Sequence, residues 1–195
     1  MLDFDATDDA IHGNQEGRFF HGYYDHYCFL PLYVFCGEQL LVAYLRPSRI
    51  DGAKHTGAIP KLLVVRLRQQ WPEVKIVFRG DCGFCRDRVL SWCTRNGVDY
   101  VVGIAKNARL ERLGQAAMEE AEQGFAKTQK TTRVFAEFRY AAKKWKAQRR
   151  VIIRADHSAK GENPRFITTS LDGDAAELYQ TVYCARGEME NRIKE

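Results

Sequence analysis

Short apolar runs dominate the first 45 residues, and their pattern predicts strands. These runs occupy residues 2–6, 27–35 and 39–45. A polar, glycine-containing turn at 36–38 separates the last two runs and predicts a hairpin. A helical period follows over 59–70, with Pro60 in the first turn, where its missing N–H costs no hydrogen bond. Three strands and a helix are therefore expected to open the fold.

Strand-like and helical patterns alternate through the rest of the chain. Buried strands are predicted at 74–78 and 100–105, and helices at 85–95 and 110–123. Strand patterns return at 132–140, 150–155 and 166–170, before a helical pattern over 173–195. Alternation that follows an opening antiparallel meander predicts an α/β fold in which helices flank a mixed sheet.

Length and composition limit the class of protein. A chain of 195 residues is one domain, or one domain with an insertion. Its longest apolar stretch, 29–36, is far shorter than the ~20 residues that span a bilayer. Asp3 and Asp5 stand where a signal peptide would carry positive charge, and the six cysteines are scattered. We therefore expect a cytoplasmic protein with reduced thiols and no membrane partner.

The net charge of +5 is unevenly distributed along the chain. Residues 1–17 contain five acids and no lysine or arginine, whereas residues 127–154 contain ten lysines and arginines against the single acid Glu137. Such segregation predicts a cation site near the start and a polyanion-binding surface in the basic segment 127–154. The alternative for the basic segment is an ordinary solvated face.

Three acids are candidate ligands of a divalent metal ion: Asp5, Asp81 and Glu190. They are predicted to lie on a strand, just past another strand and on a helix, and carboxylates suit Mg²⁺. Asp3 competes with Asp5, because both share one face of a strand with a two-residue period. Glu188 competes with Glu190, but the two lie about 200° apart around a helix, so only one of them can face the site.

The motifs around these acids resemble those of the DDE transposases of bacterial insertion sequences. Tyr183, Arg186 and Glu190 match the first three positions of the Tyr-x2-Arg-x3-Glu-x6-Lys signature; its lysine would fall beyond Glu195. The tripeptide at 5–7 is similar to the Asp-x-Thr setting of the first catalytic aspartate. Residues 79–84 are similar to the Arg-Ala-Asp-Ser-Gly-Phe box around the second, with departures at positions 80 and 82.

This resemblance implies a ribonuclease H-like core with catalytic Asp5, Asp81 and Glu190 holding two Mg²⁺ or Mn²⁺ ions. It implies a core in residues 1–126, a β-rich basic insertion in 127–172 and the Glu-bearing helix in 173–195, all as a fragment of a longer transposase. The implied activity is phosphodiester hydrolysis at transposon ends, followed by strand transfer. The implied partners are double-stranded DNA and a second copy of the chain in a homodimer, at the nucleoid of a bacterium.

Six residues are candidate DNA contacts. Tyr183 and Arg186 fall on the helix face of Glu190, and an arginine one turn before the carboxylate could hold a phosphate with two hydrogen bonds. Lys143, Lys144 and Lys146 flank Trp145, whose ring could stack on a base. An Arg186–Glu190 ion pair is the alternative for the helix. The aromatic residues Phe135 and Phe138 are expected in the core of the sheet instead.

Two other functions fit parts of the sequence. An inactive DNA-binding remnant would keep the fold without the chemistry. A thiol–disulfide oxidoreductase would use Cys82 and Cys85, because a Cys-x-x-Cys at a helix start lowers a thiol pKa. The Cys-x-x-Cys motif follows three strands and a helix, and this position argues against an oxidoreductase. The scattered histidines argue against a structural zinc site.

Overall fold

The structure, a computed structural model, describes residues 1–193 apart from the side chain of Glu190. The strands of the first half are β1 (Leu2–Ala6), β2 (Asp9–Ala10), β3 (Phe19–His21), β4 (His26–Phe29), β5 (Leu32–Cys36), β6 (Gln39–Tyr44) and β7 (Val77–Gly80). Those of the second half are β8 (Asp99–Ile104), β9 (Thr132–Tyr140), β10 (Arg149–Ser158) and β11 (Gly161–Thr169). The longer helices are α1 (Ile59–Gln70), α2 (Asp87–Arg95), α3 (Ala108–Leu113) and α4 (Gln115–Thr128).

Eight of these strands form one mixed sheet in the order β6-β5-β1-β7-β8-β11-β10-β9. The neighbours β1 and β7 run parallel, as do β7 and β8, and the remaining neighbours are antiparallel. Strands β9–β11, which include most of the basic segment, extend this sheet beyond β8. The prediction of an α/β fold with a mixed sheet flanked by helices is confirmed.

The two faces of the sheet carry different helices. On one face, Phe4 and Phe78 pack with residues of α1 and α2, and Ile153 packs with α3 and α4 in a neighbouring cluster. On the other face, Ile152 and Ile167 pack with the C-terminal helical segment, residues 175–192. Alternate residues of each strand therefore serve the two layers, as the two-residue period of a strand requires. No helix in residues 1–193 could cross a membrane by length and apolarity.

The apolar run at 27–35 is two strands rather than the predicted one. It breaks at Leu30 and Pro31, because proline cannot donate a hydrogen bond to a ladder. The first part, β4, lies between β2 and β3 in a separate three-stranded sheet, and the second part is β5. The sequence predicted a loop where β2 lies. The small sheet follows β1 directly, so it sits beside the end of the strand that carries Asp5.

The helical pattern over 173–195 becomes an irregular segment instead of one regular α-helix. It consists of a short α-turn at Ala175–Glu177, a π-helix at Leu178–Tyr183, a 3₁₀ turn at Cys184–Arg186 and an α-helix at Gly187–Arg192. The simple spacing argument for one face of an α-helix therefore does not apply across residues 183–190. Short π-helical turns inside helices occur often at functional sites.

Several arginines of the basic segment pair with acids. Arg133 and Arg154 both contact Asp156, at 2.7 and 3.1 Å, and Arg150 pairs with Glu137. The positive charge of residues 127–154 is thus partly balanced by an acid just outside the segment. Phe138 packs against Phe166, and Phe135 packs against the C-terminal segment, which confirms their expected place in the core.

Candidate functional site

The parallel pairing of β1 with β7 brings Asp5 and Asp81 together at one edge of the sheet. Phe4 is paired with Gly80, and the backbone of Asp81 continues in extended conformation, so Asp5 and Asp81 are the next pair in register. Neighbouring strands lie about 4.8 Å apart. Both carboxylates therefore stand at the carboxyl ends of adjacent parallel strands, where ligand sites of α/β sheets form.

Asp3, the competitor of Asp5, is held in a buried ion pair. The guanidinium of Arg79 donates to both carboxylate oxygens of Asp3, with 2.7 Å between Nη2 and Oδ2, and both residues are more than 90% buried. Asp3 lies two positions before Asp5, and Arg79 lies two positions before Asp81. Their side chains thus contact each other on one face of the sheet. Asp3 therefore has a structural partner in Arg79, whereas Asp5 lies one residue beyond the last β1–β7 pair.

The C-terminal helical segment covers this face and brings its polar residues to the two acids. Arg79 donates a hydrogen bond to the carbonyl of Val182, which fixes the segment against β7. Farther along, a guanidinium nitrogen of Arg186 lies 3.6 Å from Oδ1 of Asp5. The backbone of Glu190 follows one turn later in the last helix, and its side chain lies outside the described residues.

Tyr183 lies close to Asp81, because Gly103 leaves room for its ring. A Cβ at Gly103 would come 2.6 Å from the Tyr183 hydroxyl and 2.9 Å from the backbone nitrogen of Cys82. Burial raises the pKa of Tyr183; the Asp81 carboxylate adds to the rise, and Arg186 opposes it. The phenol consequently stays protonated at neutral pH and can donate a hydrogen bond.

A cleft of about 1030 Å³ opens beside Asp81, and its walls are basic. The cations that line it are Lys106, Arg154, Arg165 and Arg186. Of these four cations, only Arg186 was predicted from the sequence to belong to the site. The others come from the β8–α3 loop, β10 and β11, and only the sheet order brings them near Asp81.

A tyrosine pair at the tip of the β3–β4 hairpin also reaches the site. Tyr23 lines the cleft and is 86% exposed, and its ring meets that of Tyr24 edge-on at 5.0 Å. Burial and the nearby carboxylates of Asp8, Asp5 and Asp81 raise the pKa of Tyr24 to about 12. Sequence reasoning gave this pair no role, because no strand pattern predicted the hairpin that places it.

The predicted contacts in the basic segment lie elsewhere. Lys143, Lys144 and Lys146 are exposed, and the first two line a groove that is separate from the Asp81 cleft. Trp145 is half-buried, packs between two core clusters and meets Tyr140 edge-on at 5.6 Å. The indole therefore has a packing role, and its stacking on a base stays a prediction.

Asp5 and Asp81 are the two carboxylates of this region that could act as oxygen ligands of a divalent cation. Among the described side chains, no group of three or more His, Cys, Asp or Glu residues could hold a metal ion. Oδ1 of Asp81 accepts a hydrogen bond from the Gly83 N–H at 2.8 Å, which orients its carboxylate. Two carboxylates on adjacent strand ends fit Mg²⁺, which uses few protein ligands and keeps several waters.

The cysteine pair lacks the properties of a redox site. All six cysteines are free, as expected. Burial raises the pKa of Cys85 to about 12, and burial together with Asp81 raises that of Cys82. A reactive thiol needs a lowered pKa, so this geometry opposes thiol–disulfide exchange.

Comparison with known proteins identifies a family and related solved structures. The family model described as "Transposase DDE domain group 1" matches residues 1–195. The chain is similar to a piggyBac transposase in a synaptic complex with hairpin DNA, with 12% identity and a TM-score of 0.47. This alignment covers 98% of the chain, which spans 37% of the piggyBac transposase chain. A search of curated proteins finds no significant match.

Proposed function

Because the chain belongs to the transposase DDE domain family, we propose that it forms the catalytic core of a DNA transposase. The observation that carries this proposal is the register of β1 and β7: Asp5 and Asp81 each follow its last pair, Phe4 with Gly80, and Asp81 lines a basic cleft. In the proposed reaction, water attacks a phosphodiester at the transposon end and releases a 3′-hydroxyl. That hydroxyl then attacks a phosphodiester of target DNA, and its 3′ oxygen displaces the target's 3′-hydroxyl.

We propose that Asp5, Asp81 and Glu190 hold two divalent cations, Mg²⁺ or Mn²⁺. When bound, such ions activate the attacking oxygen and stabilise the leaving oxygen of a phosphodiester. The Gly83 N–H keeps one oxygen of Asp81 oriented. Arg186 lies 3.6 Å from Asp5, which is only 8% exposed, so its positive charge compensates that of the buried carboxylate.

The cations of the cleft suit a phosphate backbone. Arg154 and Arg165 are directly paired on neighbouring strands and line the same cleft as Asp81 and Cys82. Arginine donates paired hydrogen bonds to phosphate oxygens, so such residues can hold a DNA strand in register for attack. Tyr183 is protonated because burial raises its pKa, and it can donate to a phosphate oxygen beside Asp81.

The finer assignment is to the insertion-sequence branch with the Tyr-x2-Arg-x3-Glu signature, in a bacterium. Under this proposal residues 1–126 and 173–195 form the ribonuclease H-like core around the basic insertion 127–172. The enzyme would act as a homodimer on paired transposon ends at the nucleoid. Two residues of that signature support the proposal: Arg186 lies 3.6 Å from Asp5, and Tyr183 lines the same cleft as Asp81.

Metal-dependent nicking of supercoiled plasmid tests the proposed function directly. The purified chain should convert supercoiled to open-circular DNA with Mg²⁺ or Mn²⁺, and EDTA should stop the reaction. Tight DNA binding without nicking at any metal concentration would favour the inactive remnant instead.

Removal of both thiols of the Cys-x-x-Cys should leave nicking unchanged. The variant Cys82→Ser/Cys85→Ala should retain activity within about twofold, because substitutions outside key contacts change free energies by about 0.5 kcal/mol or less. Nicking rate and thiol–disulfide exchange are both measured. Exchange activity in the wild type that disappears in this variant would restore the oxidoreductase hypothesis.

Three exposed lysines of the basic segment should contribute to DNA affinity. Replacing Lys143, Lys144 and Lys146 with Ala should lower the salt slope of log K by up to about 3, since each phosphate contact contributes about 0.9. Fluorescence anisotropy with a DNA duplex at several salt concentrations measures the slope.

The matched control for this triple variant removes three exposed cations that lie outside the basic segment: Arg66, Lys75 and Arg95. Arg66 and Lys75 flank the end of α1, and Arg95 ends α2. The control should keep the wild-type slope. If the wild type, the triple variant and the control have equal salt slopes, then Lys143, Lys144 and Lys146 are ordinary solvated surface residues that do not contact phosphates.

A further inference from the structure

A second basic groove lies next to the Asp81 cleft, across the turn at residues 82–85. Its volume is about 750 Å³. Three segments that are distant in sequence form it: the loop before α1, the start of α2 and the turn between β9 and β10. Its lining includes Lys54, Arg86, Arg88, Lys143, Lys144 and Trp145.

Four cations of this groove are exposed, and its acids are engaged within the protein. Lys54 and Arg88 line it from the first two segments, and Lys143 and Lys144 line it from the β9–β10 turn. Asp51 pairs with Arg86 at 3.0 Å. Asp87 accepts a hydrogen bond from the buried Arg149 at 2.9 Å. The groove therefore presents a net positive surface to a ligand.

The wall formed by Trp145 is rigid. Its ring packs against Tyr140, and the guanidinium of Arg149 lies 5.6 Å from the ring centre. Arg149 itself is buried and donates hydrogen bonds to the Tyr100 hydroxyl and the Ser91 hydroxyl. A packed wall with lysines at its rim suits an extended polyanion. The positive charges of the lysines are then spaced along the groove before the polyanion binds.

We propose that this groove binds the phosphate backbone of a second DNA duplex, the target, while the Asp81 cleft holds the transposon end. This inference rests on the proposed function, because strand transfer joins two DNA molecules at one pair of carboxylates. Cys85, which lines the groove, is four positions after Asp81, a stretch that spans at most about 14 Å. The groove and the Asp81 cleft thus adjoin the same turn, with Cys82 in the cleft and Cys85 in the groove.

The chemistry of the groove predicts binding without sequence preference. Lysine and arginine at its exposed rim reach phosphates, and phosphate contacts carry no direct sequence information. Trp145 is half-buried and packed on Tyr140, so it gives shape to the wall rather than reading a base edge.

Stoichiometry with short duplexes tests the inference. The probe is a fluorescent blunt duplex of arbitrary sequence and about one helical turn, ~10 bp. The wild-type chain should bind two duplexes per chain at low salt, and Lys54→Ala/Arg88→Ala should bind one. Its salt slope should fall by up to about 1.8, at 0.9 for each phosphate contact. The control Lys75→Ala/Arg95→Ala has the same change in charge and composition, and it should keep both duplexes.

A second variant changes the β9–β10 turn, which also lines the groove. Lys144→Glu leaves the contact of Arg88 with the Ala53 carbonyl intact and should also reduce the stoichiometry to one. Thermal unfolding confirms that each variant is folded. Wild-type binding of a single duplex, or two duplexes retained by both groove variants, would overturn the proposal. Plasmid nicking is measured in parallel. If the wild type nicks DNA but binds only one duplex, the groove proposal fails and the proposed function stands. If the wild type does not nick DNA, the proposed function fails.

Discussion

Replacing Asp5 by Asn should abolish metal-dependent nicking without unfolding the protein. We expect the rate to fall by at least about 1,000-fold, which corresponds to about 4 kcal/mol in the activation barrier. The amide keeps the size of the side chain but loses the charge that a divalent cation requires. Asp81→Asn should have the same effect, since the two carboxylates stand side by side at the ends of β1 and β7. Plasmid nicking and chemical denaturation measure the two properties separately.

Asp3→Asn is the matched control, because it makes the same chemical change two residues earlier on the same face. It should lower stability instead, since it leaves the buried guanidinium of Arg79 without its charged partner. At a temperature where Asp3→Asn is folded, nicking should persist. Full activity in Asp5→Asn together with loss of activity in folded Asp3→Asn would reverse the assignment of the first catalytic aspartate.

Replacing Arg79 by Met should destabilise the protein by about 3–5 kcal/mol, the usual cost of leaving one charge of a buried pair alone. Arg79 is 7% exposed, and it also donates to the Val182 carbonyl, so the C-terminal helical segment loses an anchor. Urea denaturation gives the free energy of unfolding. Because the same segment carries Arg186, we also expect weaker DNA binding in the folded fraction.

A second substitution separates charge burial from packing. In Asp3→Asn/Arg79→Met no unpaired charge remains, so much of the lost stability should return. Arg133→Met provides an exposed comparison: its ion pair with Asp156 is 43% exposed on the arginine side, and its loss should cost about 1 kcal/mol or less. A double variant that is less stable than the sum of the two single effects would contradict the role of the buried pair.

Regular elements with a strong period could be predicted closely. The predicted bounds of β1, α1 and β9 agree with the structure, because each element has a clear pattern and a distinct end. The small sheet could not be predicted, since β2 and β3 are only two and three residues long and show no period. Proline at position 31 was the one signal for the break between β4 and β5.

The site could be predicted only in part. The motifs single out Asp5 and Asp81 as candidates, but alternation along β1 could not separate Asp5 from Asp3, because both face the same way. The difference is Arg79, whose pairing with Asp3 depends on the order of the strands. Lys106, Arg154 and Arg165 come near Asp81 through pairings between distant strands, which local patterns do not encode.

The docking of residues 175–192 onto the face of Asp3 and Asp5 has a consequence for the order in which the site is assembled during synthesis. Asp3 and Asp5 are synthesised more than a hundred residues before Arg186 and Glu190. The hydrogen bond between Arg79 and the Val182 carbonyl can form only after Val182 has been added. Under the proposed function, a nascent chain would thus carry the basic segment before it carries all three proposed catalytic acids.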